Sequence, residues 1–146
     1  MAVKYMRRSD GTMGSIPEDV VLTVDLLAAS VDNDLWISNG NYMVVGFREA
    51  HDVVGGASAA VRPRKITDTS RSGAAASATV KELTTANIDL TASINVVRTP
   101  TLVATRADLK FKSGDRLALD FSGTLTGLVG KLTVYLKKLD TPGSDV

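Results

Sequence analysis

The stretch from Lys131 to Lys137 constrains the fold more than any other. Apolar and polar side chains alternate there without a break. Leu132, Val134 and Leu136 fall on one side, and Lys131, Thr133, Tyr135 and Lys137 on the other. A period of two belongs to a β-strand with one face buried and one face toward water. The same period recurs early in the chain, where Val20, Leu22, Val24 and Leu26 alternate with Val21, Thr23, Asp25 and Leu27. It returns in Leu117, Leu119 and Phe121, and more briefly in Ile88 and Leu90. By contrast, no apolar stripe persists through three turns of a helix. Val80 to Ala86 offers one or two helical turns at most.

Turn chemistry separates these runs. Leu35-Trp36-Ile37 and the strand from Tyr42 to Arg48 flank Asn39-Gly40, a pair that readily takes the positive φ angles of a type I′ turn. The expectation is a β-hairpin whose register is set at Gly40. Leu109 to Phe111 leads through Gly114-Asp115 into the strand opened by Arg116. There Gly114 supplies the turn and Asp115 is placed to bond nearby backbone. Residues 95–105 are apolar and β-branched but contain Pro100, which cannot donate to a ladder, so that strand is expected at an edge, bulged or split. The Ser/Gly/Ala-rich residues 71–79 read as an exposed loop, with a short alanine helix as the alternative. About eight short strands between such signals predict an all-β sandwich or barrel. Two sheets of a jelly roll are the eight-strand solution to exposed edges.

Three zones follow. Residues 1–18 mix charge with Ser, Gly and Thr, show no sustained period, and read as an extended N-terminal arm. Residues 19–139 carry the periodic pattern and form the jelly-roll domain. Residues 140–146 are a polar C-terminal tail. At 146 residues the chain suits one domain. Surface scaling gives roughly 7,200 Å² folded against about 22,000 Å² unfolded, so the core needs no metal or disulfide staple. Cysteine is absent, which removes disulfides, thiolate zinc sites and a cysteine nucleophile. Seventeen basic residues balance sixteen acidic ones, a poor match for a dedicated nucleic-acid binder. Residues 1–8 lack the apolar core of a signal peptide, and no run reaches the ~18 apolar residues of a membrane helix.

Reactive groupings are sparse. His51 is the one histidine. It stands between Glu49 and Asp52, so it could serve as a base oriented by Asp52 or as a metal ligand. The plainer reading is a polar residue at a strand end, which folding and function tolerate losing. A Gly-x-Ser-x-Gly elbow is absent, and cupin-like metal sites need two or three histidines. Asp32-Asn33-Asp34 lacks EF-hand spacing and reads as turn chemistry ahead of an oxygen-only calcium site. Carboxylates are scattered through turns and strands, with no pair implied to face across a glycosidic bond. Gly55-Gly56 opens no phosphate loop. No enzymatic activity and no cofactor are therefore expected.

Basic side chains cluster twice: Lys4, Arg7 and Arg8 with Tyr5 in the arm, and Arg62, Arg64, Lys65 and Arg71 around Pro63. Each cluster reads either as an adhesive patch for an acidic surface, protein or nucleic acid, or as a solvated rim. Residues 34–56, with Trp36, Asn39-Gly40, Phe47 and Gly55-Gly56, resemble the hairpin of small phage structural proteins. Residues 83–90 resemble the loop and short strand of that family, and residues 112–127 its penultimate strand and final crossover. Over residues 19–139 the pattern is similar to that of the jelly-roll cement and decoration proteins of tailed bacteriophages. The resemblance implies a virion structural protein on the outside of an HK97-like capsid, made in the host cytoplasm. It also implies the major capsid protein as partner and self-association, a homodimer ahead of a homotrimer. The resemblance carries no residue motif over, and the expected interface is inferred from the basic clusters: Lys4, Tyr5, Arg7, Arg8, Arg62, Arg64, Lys65 and Arg71. Neither a membrane nor nucleic acid is expected as a partner. The competing reading is a carbohydrate- or receptor-binding jelly-roll module, which needs exposed aromatics on a concave face. A jelly-roll hydrolase or isomerase needs a polar pocket at His51.

Overall fold

The computed structural model describes residues 3–7, 13–17, 19–68 and 78–139, with backbone alone for 3–7, 13–17, 68 and 78. Nine strands form two antiparallel sheets around one core, consistent with a β-sandwich. One sheet contains β3 (Val20–Leu27), β11 (Val129–Lys138), β5 (Tyr42–Val53) and β9 (Lys110–Phe111), in the order β3-β11-β5-β9. The other contains β4 (Asn33–Ile37), β10 (Arg116–Ser122), β6 (Ala60–Asp68) and β7 (Ala78–Glu82), in the order β4-β10-β6-β7, with β8 (Ile88–Asp89) also on β6. Among the described residues the only helix is α1 (Arg106–Leu109).

The alternating runs behave as their period dictates. Leu132, Val134 and Leu136 are fully buried in the middle strand of the first sheet. Val20 and Leu26 face the same interior, and Leu117 and Leu119 meet them from the second sheet. Phe47 and Phe111 complete the core, each within 1% of complete burial. Truncating any such side chain to alanine costs about 2–5 kcal/mol, so this shared core is what binds the sheets together.

Several local expectations fail. Strands β4 and β5 are not a hairpin, because they lie in different sheets. Neither Asn39 nor Gly40 has positive φ, so no type I′ turn forms. The connection arches between the sheets instead. Ser38 N–H donates to the Asp115 carbonyl (2.8 Å), Gly114 N–H donates to the Ser38 carbonyl (2.8 Å), and the Ser38 hydroxyl donates to the Gly40 carbonyl (2.6 Å). Trp36 and Phe111 then pack at 5.8 Å beneath the arch, and Trp36 meets Tyr42 edge-on at 5.1 Å. Burying that aromatic group is a tertiary gain that a local hairpin would forgo. Gly114 does sit in the left-handed region at φ +93°, as its turn requires. Asp115 closes that turn by accepting the Lys112 N–H at 2.8 Å.

Residues 80–82 belong to strand β7 rather than to a helix, because β6 supplies a free edge from Arg64 to Asp68. The proline-split strand expected at 95–105 is reduced to isolated bridges, Glu49 with Arg98 and Thr84 with Leu102. Within the stretch read as an arm, residues 3–7 and 13–17 carry more order than their composition suggests. Strands β1 (Val3–Arg7) and β2 (Met13–Pro17) pair as an antiparallel hairpin, Tyr5 opposite Ser15. Its strands are five residues each, too short for a period to stand out. The hairpin is a sheet of its own, joined to neither sheet of the sandwich. The stretch read as a loop at 71–79 lies largely outside the described residues, as does the tail at 140–146.

Candidate functional site

His51 lies near the end of β5, as expected, but it is wholly buried beside an equally buried Glu49. Residues two apart on a strand point to the same face, so both side chains turn inward. Gly130, opposite His51 on β11, leaves the room: a Cβ there would come within 2.7 Å of the His51 Cβ and of the Ala50 carbonyl. The imidazole Nδ1 lies 2.6 Å from Glu49 Oε1, and Nε2 lies 2.7 Å from the Ala92 carbonyl. Glu49 Oε2 accepts from Arg98 Nη2 (2.8 Å) and Nε (3.1 Å). Arg98 also donates to the Asp89 carbonyl.

The Ala92 carbonyl can only accept, so Nε2 donates to it, while Nδ1 lies between Glu49 Oε1 and, at 3.5 Å, Arg98 Nη2. Both ring nitrogens are thus engaged within the protein, and the ring has no contact with solvent. Asp52, the expected orienting carboxylate, is exposed, and Glu49 takes that place instead. The cluster ties residues 89–98 onto β5, aided by backbone bonds from Asn95 N–H to the His51 carbonyl (2.8 Å) and between Glu49 and Arg98. Asp89 stiffens the start of that loop. Hydrogen bonds from the Thr91 hydroxyl and N–H hold its carboxyl below the usual range. The reading of His51 as expendable for folding is corrected accordingly. The sequence signal for the cluster was the inward spacing of Glu49 and His51. Arg98, 47 residues away from His51, gave none.

The basic residues expected at an interface are divided by the fold. Arg62 and Arg64 project from the outer face of the second sheet. Arg64 bonds Glu82 Oε1 (2.9 Å) and Asp120 Oδ2 (3.0 Å), while Arg62 donates to the Thr84 carbonyl (2.9 Å). Arg62 Nε stands 3.1 Å from Glu82 Oε2 but off the angle of a hydrogen bond. Lys65 turns to the opposite face. Its Nζ donates to the carbonyls of Ala107 and Lys110 (both 3.0 Å) and lies above the Phe111 ring, stapling α1 and β9 to β6. Burial pushes its pKa below the usual lysine value. Lys65 lines a cleft of about 400 Å³ with Lys110, Lys112 and Asp115. Lys4, Tyr5 and Arg7 lie on β1, away from this group in the chain's pairing, and Arg8 and Arg71 lie outside the described residues.

Asp34 pairs with Arg116 (3.0 Å), and Asp32 accepts the Phe121 N–H (2.7 Å), so both carboxylates serve the sandwich. Exposed apolar side chains include a group on the outer face of the first sheet. Leu27, Val129 and Val53 form one row across β3, β11 and β5, each more than 40% exposed, with Val21 further along β3. No helix is long and apolar enough to cross a membrane among the described residues. No family model, curated protein or solved structure matches the chain.

Proposed function

We propose that this chain is a non-enzymatic virion structural protein. It is a jelly-roll cement or decoration protein on the outer surface of an HK97-like phage capsid, where it bridges major capsid protein subunits as a homo-oligomer. The strand order supports the jelly-roll reading. Counting β7 with β8 as one strand and starting from β3, the sheets run 1-8-3-6 and 2-7-4-5, with successive strands mostly changing sheets, and so the long Greek-key connections of that fold.

The observation that carries the functional reading is the β1–β2 hairpin, which pairs with neither sheet. An isolated two-stranded hairpin is marginal in water, so a surface outside this sandwich is its natural support. Its sequence brings Lys4, Tyr5 and Arg7, residue types suited to anchoring on a protein. The filled hydrogen-bonding positions of His51 favour scaffold over catalysis. Aromatic side chains at Trp36, Tyr42 and Phe111 are spent on one another, which weighs against a sugar-stacking face.

A clamp of this kind adds stability by binding only the assembled shell, and several attachment points per oligomer multiply the effect. Co-sedimentation of the full chain with empty, expanded phage shells tests it, beside a glycan array. Saturable binding is expected. Deleting residues 1–17 should weaken it at least tenfold, about 1.4 kcal/mol, with little change in Tm. Glycan binding without shell binding overturns the proposal in favour of a carbohydrate module.

A further inference from the structure

We propose that β3 is a self-pairing edge, and that two copies of this chain join antiparallel along it with Thr23 facing Thr23 across a twofold axis. The four sheet edges are not alike. Strand β4 has five residues and a register break opposite Leu117 and Ala118. Strand β7 also has five, two of them Lys81 and Glu82, and residues 101–103 bond back onto the chain just beyond it. Strand β9 has two residues, and beyond it Arg98 bridges to the edge of β5. These are the devices by which edges avoid unwanted pairing. Strand β3 has none of them: eight residues, unbroken register with β11, no proline and no basic residue. Its one charge, Asp25, is paired with Lys131 on the sheet face (2.6 Å).

Local hydrogen bonds define which backbone groups are on offer. Leu27 N–H donates to Ser30 Oγ (2.9 Å), and the Leu27 carbonyl accepts the Ser30 N–H (2.9 Å). Leu27 therefore directs its backbone away from β11. In an antiparallel strand such directions alternate, so Val21, Thr23 and Asp25 also face the open edge. Leu27 is capped at one end, which among the described residues leaves those three as the available set. Only a twofold axis at Thr23 uses all three on both copies, setting Val21 against Asp25, Thr23 against Thr23 and Asp25 against Val21. An axis at Val24 would call on the capped Leu27. On the inner face the same register sets Leu22 against Val24 and Val20 against Leu26, apolar against apolar. Leu22 and Val24 are the two inward residues of β3 that the monomer leaves half-buried. The result is one continuous eight-stranded sheet through both sandwiches, independent of any capsid contact.

The absence of cysteine makes the register directly testable. Facing residues of a hydrogen-bonded pair sit about 5.5 Å apart at Cα, within disulfide range. Thr23→Cys should form an interchain disulfide under oxidised glutathione. Val21→Cys alone should not, but mixed with Asp25→Cys it should. Thr133→Cys, on the same face of the central strand β11, is the negative control. Without substitutions, sedimentation equilibrium at micromolar concentration should give a dimer. Thr23→Lys, which sets like charges face to face at an exposed position, should give a monomer with an unchanged circular dichroism spectrum. A wild-type chain that stays monomeric up to about 100 μM, far above the ~1 μM dissociation constant of a modest interface, overturns the proposal. So does a dimer in which Thr23→Cys fails to cross-link, or one that survives Thr23→Lys.

Discussion

Replacing His51 with alanine should destabilise the protein severely, and the structure says by how much. His51 and Glu49 are each no more than 1% exposed, and the imidazole is one of the two side chains that partner this buried carboxylate, Arg98 being the other. Leaving a buried acceptor unsatisfied costs about 1–3 kcal/mol, more for a charged group, and the cavity left by the imidazole adds to it. The loss is therefore about 3–5 kcal/mol, even though Arg98 still holds Oε2. The Ala92 carbonyl loses its donor as well, although residual water can meet part of that demand. Taking about 2.1 cal/mol/K per residue over 146 residues, the unfolding entropy is near 0.3 kcal/mol/K, so Tm should fall by about 10–16 °C. Differential scanning calorimetry measures this directly.

A second substitution separates pairing from packing. If the cost is electrostatic and hydrogen-bonding in origin, His51→Ala and Glu49→Gln should be non-additive, with a coupling of about 1–3 kcal/mol. His51→Ala combined with Glu49→Leu should recover part of the loss, since the buried Oε1 left without its partner is then gone. Because the cluster fastens residues 89–98, amide exchange in that segment should accelerate before the rest of the sandwich opens. A Tm drop under about 3 °C would refute the reasoning, for it would mean that less than about 1 kcal/mol rests on the cluster.

Gly123 has φ +72°, and a Cβ there would collide with the Ser58 carbonyl, so Gly123→Ala should cost more than about 1 kcal/mol by urea denaturation. Gly40→Ala should cost less, since Gly40 is not left-handed and the nearest atom to its Cβ is the mobile Lys138 Nζ. Leu132→Ala, in the centre of the core, should lose about 2–5 kcal/mol in the same assay. Lys65 binds protons less readily in the folded chain than in the unfolded one. Stability should therefore rise as pH climbs through its lowered pKa toward the ordinary lysine value, and Lys65→Met should abolish that rise in pH-dependent melting. A rise of equal size in the variant would assign it elsewhere.

The residues that spoke most clearly in the sequence were those whose burial is dictated by strand period. Leu132, Val134 and Leu136, like Leu117 and Leu119, show their inner face through alternation alone, and tertiary contact only supplied what covers them. Gly114 was legible for a similar reason, since a turn constrains few residues and its demand on φ is local. Asn39-Gly40 shows where local propensity stops. Its preference for a hairpin is smaller than what Trp36, Tyr42 and Phe111 gain by meeting across an arch, and that meeting depends on residues some 70 positions apart. The same holds for His51. The spacing of Glu49 and His51 set both on one face, but whether that face met water, a metal or a loop depended on Arg98 and Ala92 arriving from elsewhere in the chain. Arg62, Arg64 and Lys65 are consecutive enough to read as one basic patch. A strand sends alternate side chains to opposite faces, so Lys65 went to the carbonyls of Ala107 and Lys110 while the two arginines took Glu82 and Asp120. The sequence by itself determined strand character and the inner face of each long strand, because both follow from the backbone's own period. Which strand lies beside which, and therefore which charges are consumed and which edge stays open, was decided by the tertiary structure, where non-local contacts outweigh any single turn.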